Sequence, residues 1–388
     1  MKARCLSLLL LLLLFCASCK KEWIEQEEQL QEIRLNKVLF TDPAKVKLRQ
    51  ENSTEIFDQL IKYFDAAPEG AIVHINIYLF SYNPIIDAII RAHERGVKIK
   101  LLVDRSRNES IETNTSAIAK LQTKLTGHST FTIVNNDISS GSSGSINHHK
   151  YALFSELRVN GEGMVKNVVF STSSNFTAAD MKKIQDALII SDENLYNAFK
   201  QNWETTYRYA GSGMTAYNYQ TYSSWDGDTN AYFFPRRMNG SFEGNDTIIE
   251  ILEKISDYAN TTVQVGMSDW SDTRLNVVQK LIELKEKGVT VEVIAKSSSG
   301  PQIQAALQTL KDKGAYVNIL VLPVNIHAKF MLIKGGWNGK PNSEVIITGT
   351  HNFTSNALKV NNEVIILLRN NGLFGDYQNY YHKLKTTF

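Results

Sequence analysis

The chain has 388 residues, 43% of them hydrophobic, and 42 basic side chains against 40 acidic ones give a net charge of +2. That length suits two domains or one duplicated domain with a large core, and so near-neutral a balance excludes a chain-wide nucleic-acid signature, leaving only local basic spots such as Lys182-Lys183 and Arg236-Arg237. The three cysteines, Cys5, Cys16 and Cys19, all stand near the N-terminus, which excludes an internal disulfide and a catalytic thiol in the rest of the chain.

Met1-Lys2-Ala3-Arg4 is a basic start, and residues 6–15 form an apolar run too short to span a bilayer comfortably. Cys16-Ala17-Ser18-Cys19 follows and resembles a bacterial lipobox, with Cys16 at the usual Leu position. The expectation is a leader at 1–19, acylation of Cys19 and a charged, Gln/Glu-rich tether at 20–39; an ordinary secretion signal, with no acylation, is the alternative. By the same resemblance Lys20 points to the outer rather than the inner membrane, and so to a lipid-anchored protein of the cell envelope. No later segment is long and apolar enough for a transmembrane helix.

A β-rich apolar run at 72–80 leads through a turn to a helical pattern at 85–95, which stops at Gly96, a residue suited to the left-handed position after a helix. A strand pattern follows at 97–103. This β-α-β order predicts a partly parallel sheet with helices on its faces. A Ser/Gly stretch at 139–145 then runs into His148-His149-Lys150, either as a lid or as a plain surface loop. His148 and Lys150 are two apart at the start of a strand pattern, so both side chains face one way. An imidazole beside an ammonium suits chemistry on an anion, although one such pair could equally be a solvated surface strand. Next come a β-branched run that empties into Ser173-Ser174-Asn175-Phe176-Thr177, and Asp186 before a second apolar run. Leu195, Tyr196, Phe199 and Trp203 form a stripe at helical spacing that reads as core.

The series then repeats. Between the copies, residues 210–235 are polar, Tyr-rich and Gly-punctuated and read as a connection that packs rather than dangles. Apolar runs at 262–267 and 289–294 flank a helical pattern that stops at Gly288. His327 and Lys329 restate His148 and Lys150, 179 residues on. Asn352 restates Asn175 and Glu363 restates Asp186, each 177 residues on, and Leu373, Phe374, Tyr377 and Tyr381 restate the aromatic stripe. Offsets this constant mark an internal duplication, with repeats at 40–209 and 236–388.

These residues resemble the phospholipase D superfamily, whose members carry two H-x-K-x4-D motifs, each followed by G-S-x-N and an acidic residue. The resemblance covers nearly all of the chain from about residue 40 onward. It implies an α/β fold of two tandem repeats, mixed sheets flanked by helices and related by a pseudo-twofold axis, with one shared active site in a monomer. It places His148 and His327 on the catalytic histidines, Lys150 and Lys329 on the lysines, and Asn175 and Asn352 on the phosphate-binding asparagines. Asp186 and Glu363 fall where the family places the carboxylate that orients a catalytic His. The chain departs from the motif at Ser155 and Lys334, which replace its Asp, at Thr172, which replaces its Gly, and at Thr350, which replaces its Ser.

The implied chemistry uses neither cofactor nor metal. One His attacks phosphorus and the other protonates the leaving oxygen, then activates water; by resemblance His148 is the nucleophile and His327 the acid. Lysines and asparagines would stabilise the transferring group. The expected substrate is a phospholipid, with a nucleic-acid phosphodiester, cut by a nuclease of the same superfamily, as the alternative. A binding lipoprotein that has lost turnover is a third reading.

Overall fold

The computed structural model of the protein describes residues 33–47, 51–136, 145–212, 217–297 and 299–388. The leader, Cys19, most of the tether and the Ser/Gly stretch up to residue 144 lie outside them.

The first half is a seven-stranded sheet in the order β1-β7-β6-β5-β2-β3-β4. Its strands are β1 (Lys37–Phe40), β2 (Ile72–Ile77), β3 (Lys98–Asp104), β4 (Thr130–Val134), β5 (Lys150–Val159), β6 (Gly163–Thr172) and β7 (Asp186–Ser191). β2, β3 and β4 run parallel, whereas β5, β6, β7 and β1 add antiparallel. β2 is buried along almost its whole length, which is why it reads as a continuous apolar run without alternation. Helices α1 (Pro43–Val46), α2 (Glu55–Ala66), α3 (Asn83–Glu94), α4 (Asn108–Lys124) and α5 (Glu193–Tyr209) complete this half. α3 starts with a proline in its first turn, and the chain leaves it through Gly96 at φ +91°, a conformation that only glycine adopts without strain.

The second half is an eight-stranded sheet in the order β14-β13-β12-β15-β16-β17-β9-β8. It is built from β8 (Gln220–Ser223), β9 (Thr229–Phe233), β12 (Ile255–Met267), β13 (Thr290–Lys296), β14 (Tyr316–Leu320), β15 (Lys329–Trp337), β16 (Lys340–Gly349) and β17 (Val364–Arg369), with a small ribbon of β10 (Arg237–Met238) and β11 (Ser241–Phe242) beside it. Its helices are α6 (Thr247–Glu253), α7 (Leu275–Glu286), α8 (Pro301–Asp312), α9 (Ser355–Lys359) and α10 (Phe374–Thr387). Two segments do more than the sequence suggested. The connection at 210–235 supplies β8 and β9 to this sheet, and the end of the tether becomes β1, which pairs with β7 as β9 pairs with β17.

Three cores result. Each half buries the outer face of its sheet under its own helices. A third core lies between the sheets and is made by both halves through α5 and α10. Phe199 of α5 packs edge-on against Tyr151 of the first sheet and Phe233 of the second, with ring centroids 5.1 and 5.0 Å away. The motif departures Ser155 and Lys334 sit five residues down β5 and β15 from Lys150 and Lys329, about 17 Å along the strand. There Ser155 Oγ accepts from the Ile72 N–H at 2.9 Å, and Lys334 pairs across strands with Glu344 at 2.8 Å. Both substitutions therefore act on the distant ends of the sheets.

Candidate active site

Each histidine lies just before a strand of its own half and is fixed by backbone of the other. The His148 N–H donates to the Asn362 carbonyl at 2.9 Å, and the Asn362 N–H donates to the Ile146 carbonyl at 3.0 Å. The mirrored contacts run from the His327 N–H to the Ile184 carbonyl at 2.8 Å and from the Ile184 N–H to the Asn325 carbonyl at 2.9 Å. These form two parallel bridges, Asn147 with Asn362 and Ile184 with Ile326. The crossover delivers each motif to the turn that opens the partner half's last sheet strand.

Glu363, wholly buried in that turn, places both carboxylate oxygens on His148 Nδ1, at 2.8 and 2.9 Å. Thr350 Oγ1 donates to Glu363 Oε2 at 2.6 Å, and Asn361 Nδ2 donates to Oε1 at 3.3 Å. Burial pushes the Glu363 carboxyl up to about 8, with Lys150 pulling the other way. Burial, then the Lys150 and Lys329 charges, hold the His148 imidazole well below its ordinary value. With Nδ1–H directed at the carboxylate, the Nε2 lone pair is available for attack. Tyr78 packs edge-on against the His148 ring at 5.1 Å, and Lys150 Nζ lies 5.5 Å from the Tyr78 ring.

The counterpart contact differs from expectation. Asp186 does not reach His327; its Oδ2 accepts from Thr348 Oγ1 at 2.7 Å and from the Tyr377 hydroxyl at 2.8 Å, both in the second half. His327 Nδ1 faces Gln185 Oε1 at 3.0 Å and the Ser173 carbonyl at 3.1 Å. Lys329 Nζ lies 3.3 Å from the same nitrogen, and two nearer acceptors against this one donor favour a proton on Nδ1. Gln185 Nε2 in turn donates to Asp180 Oδ1 at 2.9 Å, so the amide is held from behind by a buried carboxylate. Strand register explains the shift. Thr172 pairs with Ala187 and Gly349 with Ile365, which makes Gln185 the structural counterpart of Glu363. Matching acid to acid at offset 177 slipped by one residue, whereas the offset of 178 between Leu195 and Leu373 leads from Glu363 to Gln185. Burial, then Lys329 and Lys183, hold His327 well below its ordinary value.

Lys150 and Lys329 are fully buried and donate to the carbonyls of His148 and His327. Burial depresses both, Lys150 well below the usual lysine range and Lys329 to about 8, with Glu363 opposing the shift in each. Asn175, also buried, lies 3.4 Å from Asp180 Oδ1 through its Nδ2, and its Oδ1 has no protein partner. Asn352 Oδ1 accepts from the Asp269 N–H at 3.4 Å. Motif reading singled out the histidines, lysines, asparagines and Glu363, which the structure places around the junction of the halves; it did not single out Gln185, Asp180, Tyr78 and Asp269 or the contact of Thr350 with Glu363. Among the described residues no group of three or more His, Cys, Asp or Glu side chains is placed to hold a metal ion. Two Nδ1-fixed imidazoles among buried ammonium groups can take up, cleave and release an anionic ester.

Comparison with known proteins gives the same picture. The family model described as "Cardiolipin synthase, PLD-like domain" matches residues 60–207 and 251–385, once in each half. The chain is 27% identical over 145 residues to a "Phospholipase D" of Rickettsia typhi and 29% identical over 140 residues to a "Phospholipase D" of Rickettsia conorii. Those matches take in 37% and 36% of this chain and only 59% and 58% of the relatives' lengths. Among solved structures, phosphatidylserine synthase of Haemophilus influenzae superposes with a TM-score of 0.62 at 11% identity, over 93% of this chain and 90% of that one, a likeness of fold. With both halves matched by one model and their two sheets closing on paired His/Lys motifs, the chain belongs to the phospholipase D superfamily.

Proposed function

We propose that the protein hydrolyses phosphodiesters through a phosphohistidine and that its substrate is a phospholipid. The observation that carries the chemistry is the unequal support of two otherwise matched histidines, a carboxylate behind His148 and an amide behind His327. His148 Nε2 attacks phosphorus, and the ester bond to the leaving alcohol breaks as His327, protonated, gives that oxygen its Nε2 proton. An imidazole phosphorylated on Nε2 and protonated on Nδ1 is cationic, and Glu363 stabilises it. A neutral amide offers His327 no such stabilisation, so its imidazolium releases the proton readily. His327, now neutral, takes a proton from water; the hydroxyl attacks phosphorus and His148 leaves. Lys150, Lys329, Asn175 and Asn352 hold the non-bridging oxygens.

Two observations support a lipid substrate: the lipobox-like Cys16-Ala17-Ser18-Cys19, which would place the enzyme at a membrane with Cys19 acylated, and the printed name of the Rickettsia relatives. The test is turnover of phosphatidylcholine, phosphatidylethanolamine, cardiolipin and single-stranded DNA in excess chelator. Lipid cleavage with a product phosphate on the diacylglycerol side is expected, and His148→Ala and His327→Ala should each lower it at least ~10³-fold. DNA cleavage alone would make the protein a nuclease, phosphatidyl transfer to added alcohol without hydrolysis would make it a transferase, and loss of activity in chelator would replace the phosphohistidine route.

A further inference from the structure

The pseudo-twofold symmetry of the site breaks at its mouth. Phe176 N–H donates to the Leu79 carbonyl at 2.9 Å, and Phe353 N–H donates to the Asp269 carbonyl at 3.0 Å. The bridges Phe80 with Phe176 and Trp270 with Phe353 repeat the match, so Asp269 occupies in the second half the place of Leu79 in the first. One residue earlier, Tyr78 corresponds to Ser268. At the ends of the neighbouring strands, Asp104 corresponds to Lys296, since Ile77 pairs with Val103 and Met267 with Ala295.

The first flank is therefore Tyr78 and Leu79, largely buried, with Asp104 turned inward onto Ser106 and the Asn147 N–H. The second flank presents a carboxylate. Asp269 Oδ1 meets Lys296 Nζ at 3.2 Å, and the Asp269 side chain keeps 45% of its exposure. Asp269 lies two residues past Met267, which pairs directly with Lys329, and its N–H is on Asn352. Its charge acts on both Lys329 and His148.

A carboxylate here works against a bare phosphodiester, which must bring its own negative charge to the same few ångströms. A leaving alcohol that carries an ammonium removes that conflict, because it shares the Asp269 carboxylate with Lys296 while the lysines of the motifs hold the phosphate. A polyanion gains nothing and meets repulsion. We propose that Asp269 is a specificity-determining residue that selects phosphodiesters whose leaving alcohol bears a cation, the amino-alcohol class of head group. The inference rests on the phosphodiesterase reading of the site and adds the head-group charge to it.

The experiment compares kcat/KM of the wild-type protein and Asp269→Asn on short-chain phosphatidylethanolamine and on short-chain phosphatidylglycerol, whose head group is neutral. The wild type should prefer phosphatidylethanolamine. Asp269→Asn also removes a charge that acts on Lys329 and His148 and so lowers both rates, but the ratio of kcat/KM on phosphatidylethanolamine to that on phosphatidylglycerol should fall about 10- to 50-fold, chiefly through KM, the scale of one lost charge-assisted contact. Asp269→Glu should keep the preference, which separates recognition from damage to the fold. An equal loss on both lipids, or no loss on either, overturns the proposal while leaving the hydrolase reading intact. If the wild type cleaves neither lipid, both fall.

Discussion

Glu363 and Lys329 set the working pH of the site. The Glu363 carboxyl, raised by burial to about 8, must be ionised to accept the His148 Nδ1–H, so kcat/KM should climb as pH rises through that region. Lys329, lowered by burial to about 8, loses its charge above it, so the phosphate clamp weakens on the alkaline side. The expected profile is a bell, with ionisation of Glu363 on its acid limb and loss of the proton from the general acid His327, together with that from Lys329, on its alkaline limb. Thr350→Val removes a donor that favours the Glu363 carboxylate, and should move the acid limb to higher pH while the alkaline limb stays; a pH–rate series on both proteins checks this. Gln185 and Asp186 offer a contrast between neighbours. Gln185→Ala strips His327 of an Nδ1 acceptor and should lower kcat by roughly 10²-fold. Asp186→Asn weakens the contacts to Thr348 and Tyr377 and should cost about 1–3 kcal/mol of stability with kcat at the optimum kept and only the alkaline limb, which feels its charge through Lys329, moved to lower pH. Denaturant melts and pH profiles of the two variants, read side by side, distinguish a positioning residue from a structural one.

Among the elements, those with strong periodicity were legible in the chain. The β-α-β starts of both halves, their helix stops at Gly96 and Gly288 and the stripe on α5 follow from apolar runs and turn residues alone. β8 and β9 were not, because their few apolar residues stand among polar ones between glycines and take strand form only as β9 pairs onto β17 and β8 onto β9. The slip from Gln185 to Asp186 has a similar origin. Two carboxylates matched in type, and only hydrogen-bond register, a property of strand pairs, assigns them different places. The α5 stripe carries its own prediction. Phe199 is fully buried between both sheets, so Phe199→Ala should cost roughly 3–5 kcal/mol, visible as a lower midpoint in chemical denaturation.

For the molecule as a whole, the duplication seen in the offsets is a physical partnership. Each half folds a sheet under its own helices, but the middle core and both histidine contacts belong to the pair. The proposed anchor at Cys19 lies outside the described residues. Cys19→Ser should release the protein from the membrane fraction with the purified domain's turnover preserved; fractionation and assay check both, and a variant that stays in the membrane fraction after leader cleavage would refute lipidation at that residue.

The reciprocal backbone bridges, His148 on Asn362 and His327 on Ile184, also make reactivity a property of closure. A gap of a few ångströms between the halves would take Glu363 from His148 and Gln185 from His327 in one movement, and water would reach Lys150 and Lys329 and restore them to ordinary surface ammonium groups. A chain whose halves have not yet closed on each other would thus carry every reacting side chain and yet be inert. Reactivity is switched on by the grip of one half on the other.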